Sequence, residues 1–412
     1  MNEILTKGLH QAKVQVTKQE SELMRPMTMI PEYELSGNQM RQVTHQTIQT
    51  HLSIEASGYR CTSEMLVDVL LKASSEGSSV EAVCNDLEDV ADSNTIRETF
   101  NREFEVGDLW EQEVQMNQAL ASRVPSNMPR KGLEIAMDFH DEPFYGKSPE
   151  LRSYAVRTQA QKGTTRFYRI ASAYIIWRQV RLTLAVTYVL PEHDTLSVVR
   201  TLLQRVHRLG FEATILYLDK GFCSGQVITY LQDLKQSAII ACPIRGKTGG
   251  TRALCKGRKS YRTSYTFTDG TEADLVLVAT LPKTRGGKRR RKWLAYVVIG
   301  LDDWTPQKVK RQYRRRFGIE CSYRQLRQVR IRTNSRNPAL RFFVLGFALL
   351  LVTIWASLRG LFCRIKGPGR PRLDVTLLRL QRFINMIRRT VEDIYGVTMM
   401  IPTYWNPQSV IY

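Results

Sequence analysis

The sequence predicts an α/β fold, a mixed sheet covered by helices and broken by a mainly β insertion, behind an α-helical N-terminal domain. Two short apolar strands, Leu133–Asp138 and Ala213–Asp219, each end in a carboxylate. They sit in an order of three strands followed by strand–helix–strand alternation, which suits a mixed sheet with helical layers. Upstream, residues 42–117 carry helical rather than alternating periodicity.

Taken in order, residues 1–40 have weak periodicity and read as an arm. In the helical region, Ser79–Cys84 opens one helix, and Asp92-Ser93-Asn94 caps a second over Thr95–Asn101, a spacing compatible with a helix-turn-helix. Ser126–Arg130 reads as a linker, so the helical domain is expected over residues 1–130. The strands Leu133–Asp138, Arg166–Trp177 and Leu182–Leu190 follow, then an amphipathic helix over Thr195–Leu209. Ala213–Asp219, a helix over Ser224–Lys235 and the strand Ala238–Cys242 complete the alternation. Residues 245–292 form the insertion, with strands near Tyr261–Thr268 and Ala273–Thr280 and a basic run over Lys283–Lys292; Trp293–Ile299 returns to the sheet. The α/β domain is expected over residues 131–365, followed by a basic tail over 366–412.

Charge narrows the partner. The chain has a net charge of +21, but residues 1–130 hold 20 acidic and 11 basic residues, leaving 49 basic and 19 acidic residues in 131–412. A field of that size on one stretch of a chain costs self-repulsion and points to a polyanion, nucleic acid before a membrane surface. The uncharged stretch 342–358, between Arg341 and Arg359, has the length of a short membrane span, yet an all-apolar helix also serves as the centre of a large α/β domain. The buried helix is the reading adopted, with no membrane partner. Seven scattered cysteines without a C-x-x-C pair suit neither zinc nor a disulfide framework and fit a reducing cytoplasm. The first residues lack the apolar core of a signal peptide.

The chemistry-bearing residues are acidic. Asp138 and Asp219 stand at the carboxyl ends of their strands, where open α/β sheets bind ligands. Asp141, three residues on, is the rival to Asp138. Between Trp304 and Leu373, Glu320 is the only acidic residue among seventeen Lys and Arg positions. Such surroundings favour the ionised carboxylate and suit it to a divalent cation. Residues 313–327 read as one helix, on which Tyr313, Arg316, Glu320 and Arg327 share a face at about 100° per residue.

That helix, with Tyr313, Arg316, Glu320 and Arg327 spaced three, four and seven apart, resembles the signature of DDE transposases from bacterial and archaeal insertion sequences of the insertion-sequence-four type. The segments Asp138–Gly146 and Leu218–Phe222 resemble the first and second acid motifs of a branch named after halophile elements. The resemblance spans about residues 130–365, and Arg327 stands where the pattern has lysine, which alters donor geometry. It implies an RNase H-like fold, cutting at element ends, strand transfer into target DNA, and a homodimer holding two ends. Asp138, Asp219 and Glu320 are then the catalytic and metal residues for two Mg²⁺ (or Mn²⁺) ions, about 3.5–4 Å apart in such sites. Tyr313, Arg316, Arg327 and Lys220 are expected on phosphates. In hairpin-forming relatives a tryptophan from the β insertion stacks on a flipped base, and Trp293, at the insertion's exit, is the candidate for that role. Separately, Gly367–Arg372 resembles an AT-hook, placing Arg370 and Arg372 in a minor groove. A non-catalytic DNA-binding protein and a single-pass membrane protein remain the alternatives.

Overall fold

Alternation along two strands sets the architecture. In β1 (Leu133–Pro143), Leu133, Ile135 and Met137 enter a large core on one face of a sheet, while Ala136 enters a smaller core on the other. Downstream come β2 (Val156–Gln161), β3 (Thr164–Trp177), β4 (Val180–Val189), β5 (Ala213–Leu218) and β6 (Ala238–Cys242). The set closes with β7 (Tyr261–Thr266), β8 (Glu272–Thr280) and β9 (Lys292–Ile299). In β5, Leu216 and Leu218 face the large core, and Ile215 and Tyr217 the small one. The computed structural model describes residues 34–56, 58, 60–126, 128–177, 180–246, 249–281, 291–317, 325–365 and 372–400. The arm read over residues 1–40 therefore lies largely outside the described residues.

The nine strands form one sheet in the order β2-β3-β1-β5-β6-β9-β8-β7, with β4 also paired to β3. β1 and β3 are antiparallel, β1 and β5 parallel, and β5 and β6 parallel. The central run β4-β3-β1-β5-β6 is the RNase H-like arrangement. The insertion is not a separate β body: β7 and β8 extend the main sheet beyond β9, which pairs antiparallel with β6. The basic run lies mostly outside the described residues.

Helices cover both faces. α1 (Gly37–His51), α2 (Ser63–Glu76), α3 (Val80–Asp86), α4 (Ser93–Glu103) and α5 (Leu109–Ser122) precede the sheet. Ser79 caps α3 by accepting from Ala82 N, and Asp92 caps α4 by accepting from Asn94 N, as their sequence positions predict. α6 (Thr195–Arg208) and α7 (Gly225–Asp233) follow β4 and β5, and α8 (Pro306–Tyr313) covers the small core. α9 (Pro338–Phe362) is the apolar segment, buried against β4 and α5 and started by Asn337, whose Oδ1 accepts from Ala339 N at 2.8 Å. It is a core helix of the sheet domain.

Packing contacts cross both expected boundaries. The linker 126–130 does not separate the helices from the sheet, because α5 packs on β4 and α9 and completes the exposed edge of β4. Asn117 donates to Val186 O and accepts from Val186 N, both at 2.9 Å, while buried Glu113 accepts from Tyr188 N and Thr187 Oγ1 and pairs with Arg205. Unpaired backbone groups on a strand edge need such partners. The basic tail likewise contains a packed helix, α10 (Leu380–Tyr395), whose Phe383, Ile384, Ile387 and Val391 are buried against α1 and α2. Each such side chain contributes roughly 1.5–3 kcal/mol by burial. Lys72, fully buried, joins Glu76, Asp86 and Glu392 at 2.7–2.8 Å, and Tyr395 donates to Asp68 at 3.0 Å.

Candidate active site

Parallel pairing places the two strand-end aspartates side by side. Met137 is opposite Leu218 in the β1–β5 register, so Asp138 and Asp219 are the next pair, on the face that carries Ala136 and Tyr217. Asp138 Oδ1 accepts from Phe139 N at 2.9 Å. Its Oδ2 meets Arg316 Nη1 at 3.1 Å, and Arg316 Nη2 meets Asp219 Oδ1 at 3.1 Å. One guanidinium thus spans both carboxylates. Burial pushes the Asp138 carboxyl up to about 6; Arg316 opposes the shift and the like charge of Asp219 adds to it. Burial alone would lower Arg316, but Tyr313, Asp138 and Asp219 hold it above its ordinary value, so it remains a cation.

Local structure explains how Arg316 arrives there. α8 stops at Tyr313 and tightens into a 3₁₀ segment over Arg314–Phe317. The continuous helix that would put Tyr313, Arg316, Glu320 and Arg327 on one face therefore does not hold past Tyr313; residues 318–324, with Glu320, lie outside the described residues. Tyr313 is 4% exposed, donates its hydroxyl to Leu218 O at 3.1 Å and packs near Tyr296 and Tyr217. A side chain so enclosed cannot reach a phosphate: Tyr313 instead pins α8 to the end of β5. Its ring also lies beneath the Arg316 guanidinium, 5.3 Å from centroid to Cζ. Arg315 pairs with Glu134, which also accepts from Tyr217 at 3.0 Å.

The alternation Glu134, Ala136, Asp138, His140, Glu142 continues the same face, a pattern present in the sequence that attention to strand ends alone does not pick out. Glu142 is 3% exposed and contacts His140 and Arg330, with Arg341 at 3.9 Å. Burial would raise its carboxyl, yet the His140 hydrogen bond and the charges of Arg330 and Arg341 hold it below the usual range. This cluster ties β1 to the segment leading into α9. Asp141 points the other way and forms a two-bond pair with Arg169, 2.7 Å for each bond. Its oxygens are committed to that arginine, and it does not join Asp138 and Asp219.

Of the remaining expected contacts, Lys220 is exposed directly after Asp219, in a 3₁₀ turn over Lys220–Phe222. Arg327 is exposed along an open groove with Gly77, Arg330, Arg332 and Gln381. Trp293 is half-buried on β9, edge-on to Tyr261 at 6.3 Å, and not on a projecting loop. Arg372 is exposed in a two-residue strand paired with Arg364–Ile365; Arg370 lies outside the described residues.

The donors at Asp138 and Asp219 fit a divalent cation of the Mg²⁺ type. Both are hard carboxylates, and the guanidinium between them is a stand-in cation showing that one positive group can be shared by the two. A second acidic group, Glu76, Asp86 and Glu392, has ligand-like spacing, but its centre is filled by the Lys72 ammonium.

No curated protein matches the chain. Residues 159–354 match the family model described as a transposase DDE domain, a span that includes Asp219 and Glu320 and begins after Asp138. In fold, the chain is similar to a piggyBac transposase in a synaptic complex with hairpin DNA, solved by cryo-EM. That match has a TM-score of 0.52 and 10% identity, covering 87% of this chain and 78% of that one. By sequence, residues 159–354 of this chain are similar to the transposase DDE domain, and by fold most of its length is similar to a piggyBac transposase.

Proposed function

We propose that the protein is a transposase that cuts DNA at the ends of a mobile element and joins those ends to target DNA. The observation carrying this reading is the adjacency of Asp138 and Asp219 at the ends of neighbouring parallel strands, sharing one cation. Glu320, the lone acid of a strongly basic segment, is assigned as the third carboxylate on its sequence position. The motifs around Asp138, Asp219 and Glu320 favour the insertion-sequence-four type and its halophile-named branch within this class.

In this reading Asp138, Asp219 and Glu320 hold two Mg²⁺ or Mn²⁺ ions. Divalent ions held by Asp138, Asp219 and Glu320 would supply Lewis-acid chemistry toward the scissile phosphate. The protein's own role is positional. The β1–β5 pairing fixes the separation of the two aspartates, and Phe139 N fixes the rotation of Asp138. Lys220 and Arg327 are assigned to phosphates flanking the cut, since phosphate contacts set register without reading sequence. Arg370 and Arg372 are assigned to A·T-rich DNA beyond it. A homodimer pairing two ends follows from the need to cut both.

The test uses purified protein, supercoiled plasmid and Mg²⁺. Nicked and linear products that disappear with a chelator are expected; plasmid left intact under conditions where the protein binds DNA would favour a non-catalytic DNA-binding role.

A further inference from the structure

Arg316 is held in an unusual way for a side chain expected on DNA. Its two terminal nitrogens are used by Asp138 and Asp219, its side chain is only 11% exposed, and its Nε is buried with no acceptor among the described residues. The oxygens it takes, Asp138 Oδ2 and Asp219 Oδ1, belong to the two carboxylates assigned to the cation. Asp138 Oδ1 is already engaged by Phe139 N. A guanidinium and a divalent ion cannot both sit between these groups, because they compete for the same lone pairs and repel each other.

The backbone around Arg316 is anchored independently of its side chain. Tyr313 is fixed to Leu218 O, Tyr174 donates to Arg316 O at 3.4 Å, and Arg315 is fixed to Glu134. Rotation of the Arg316 side chain thus leaves the segment in place. A phosphate offers a guanidinium the same paired-oxygen geometry as a carboxylate, so bound DNA can accept what the aspartates release.

We infer that Arg316 and the divalent cation are competing occupants of the Asp138–Asp219 pair, and that DNA phosphate, by taking Arg316, couples cation binding to DNA binding. This rests on the proposed function and adds its order of assembly: the cutting centre loads its metal fully only on DNA. Coupling of this kind is reciprocal, so a cation must also tighten DNA binding.

The experiment uses the full chain in two arms. First, Mn²⁺ alone is titrated calorimetrically into wild type, Arg316→Gln and Arg316→Lys. Arg316→Gln should bind Mn²⁺ about tenfold more tightly or better, and Arg316→Lys several-fold more tightly, because lysine keeps the charge but cannot span two carboxylates. Equal or weaker binding by Arg316→Gln overturns the inference, and so does wild-type affinity in Arg316→Lys. Second, anisotropy of a labelled 30-base-pair duplex is read with and without Ca²⁺. Ca²⁺ should tighten binding about tenfold in wild type and have little effect in Arg316→Gln; the same enhancement in both overturns the coupling. Mn²⁺ binding that depends on Asp138 but ignores Arg316 sinks this inference alone. Absence of Mn²⁺ binding in every variant sinks the metal-site reading along with it.

Discussion

The Tyr313 hydroxyl donates to the Leu218 carbonyl at 3.1 Å, joining the last residue of α8 to the residue before Asp219. Burial pushes the phenol well above its ordinary value, so it stays protonated and remains a donor. Tyr313→Phe keeps the ring contacts with Tyr296 and the Arg316 guanidinium but leaves a buried carbonyl without its partner. The expected loss is about 1–2 kcal/mol in denaturant unfolding. Affinity for duplex DNA should stay within about twofold in an anisotropy titration, which separates this anchoring role from phosphate contact.

Asp138 should make the protein less stable as it ionises. Its folded value of about 6 lies above the unfolded value of 3.8, so the folded state binds more protons between those limits. The associated stability is complete below the unfolded value and is lost as pH rises through about 6. Asp138→Asn removes that loss, and its melting temperature relative to wild type should climb from pH 4 to pH 7, by an amount corresponding to roughly 1–3 kcal/mol. A constant difference across that window would contradict the burial argument. Stability given up at a functional site is a common trade.

Lys72 is the link between the N-terminal helices and α10. Lys72→Met leaves Glu76, Asp86 and Glu392 facing one another around an apolar side chain. A cost of about 1–3 kcal/mol is expected, since the three partly exposed carboxylates lose their shared cation. Hydrogen exchange should show α10 opening before the sheet. Retained protection in α10 would mean that its apolar face alone holds it.

Asp141→Asn tests the rival to Asp138. Breaking the two-bond pair with Arg169 should reduce stability by about 1–3 kcal/mol. Once the variant is folded, DNA cutting should persist at a rate near wild type. Loss of cutting in a folded Asp141→Asn protein would move the chemistry to the opposite face of β1.

Much of this was legible in the residues themselves. The strands ending at Asp138 and Asp219 could be read because mostly apolar runs of five and six residues lead into a carboxylate, and the strand order allowed the two to be neighbours. The long helix at 338–362 could be read because it is apolar all round and sits within a sheet-forming chain. α10 was hidden. Its apolar positions 383, 384, 387, 391 and 395 have helical spacing, but the arginines between them dominate the composition, and its partners lie some three hundred residues upstream. The contacts made across 126–130 were hidden for a related reason: Asn117 and Glu113 look like solvated helix residues until β4 is placed beside them. Arg316 was recognisable as important, but which anion it holds depends on tertiary geometry that spacing does not contain.

The most direct test of the central claim compares single-turnover cutting of a labelled element-end duplex by wild type, Asp138→Asn and Asp219→Asn in Mg²⁺, with duplex binding measured alongside. Both variants should lose at least about a hundredfold in rate while binding the duplex within about twofold of wild type. Cutting at the wild-type rate by either variant would contradict the assignment of Asp138 and Asp219 as the paired carboxylates of the site.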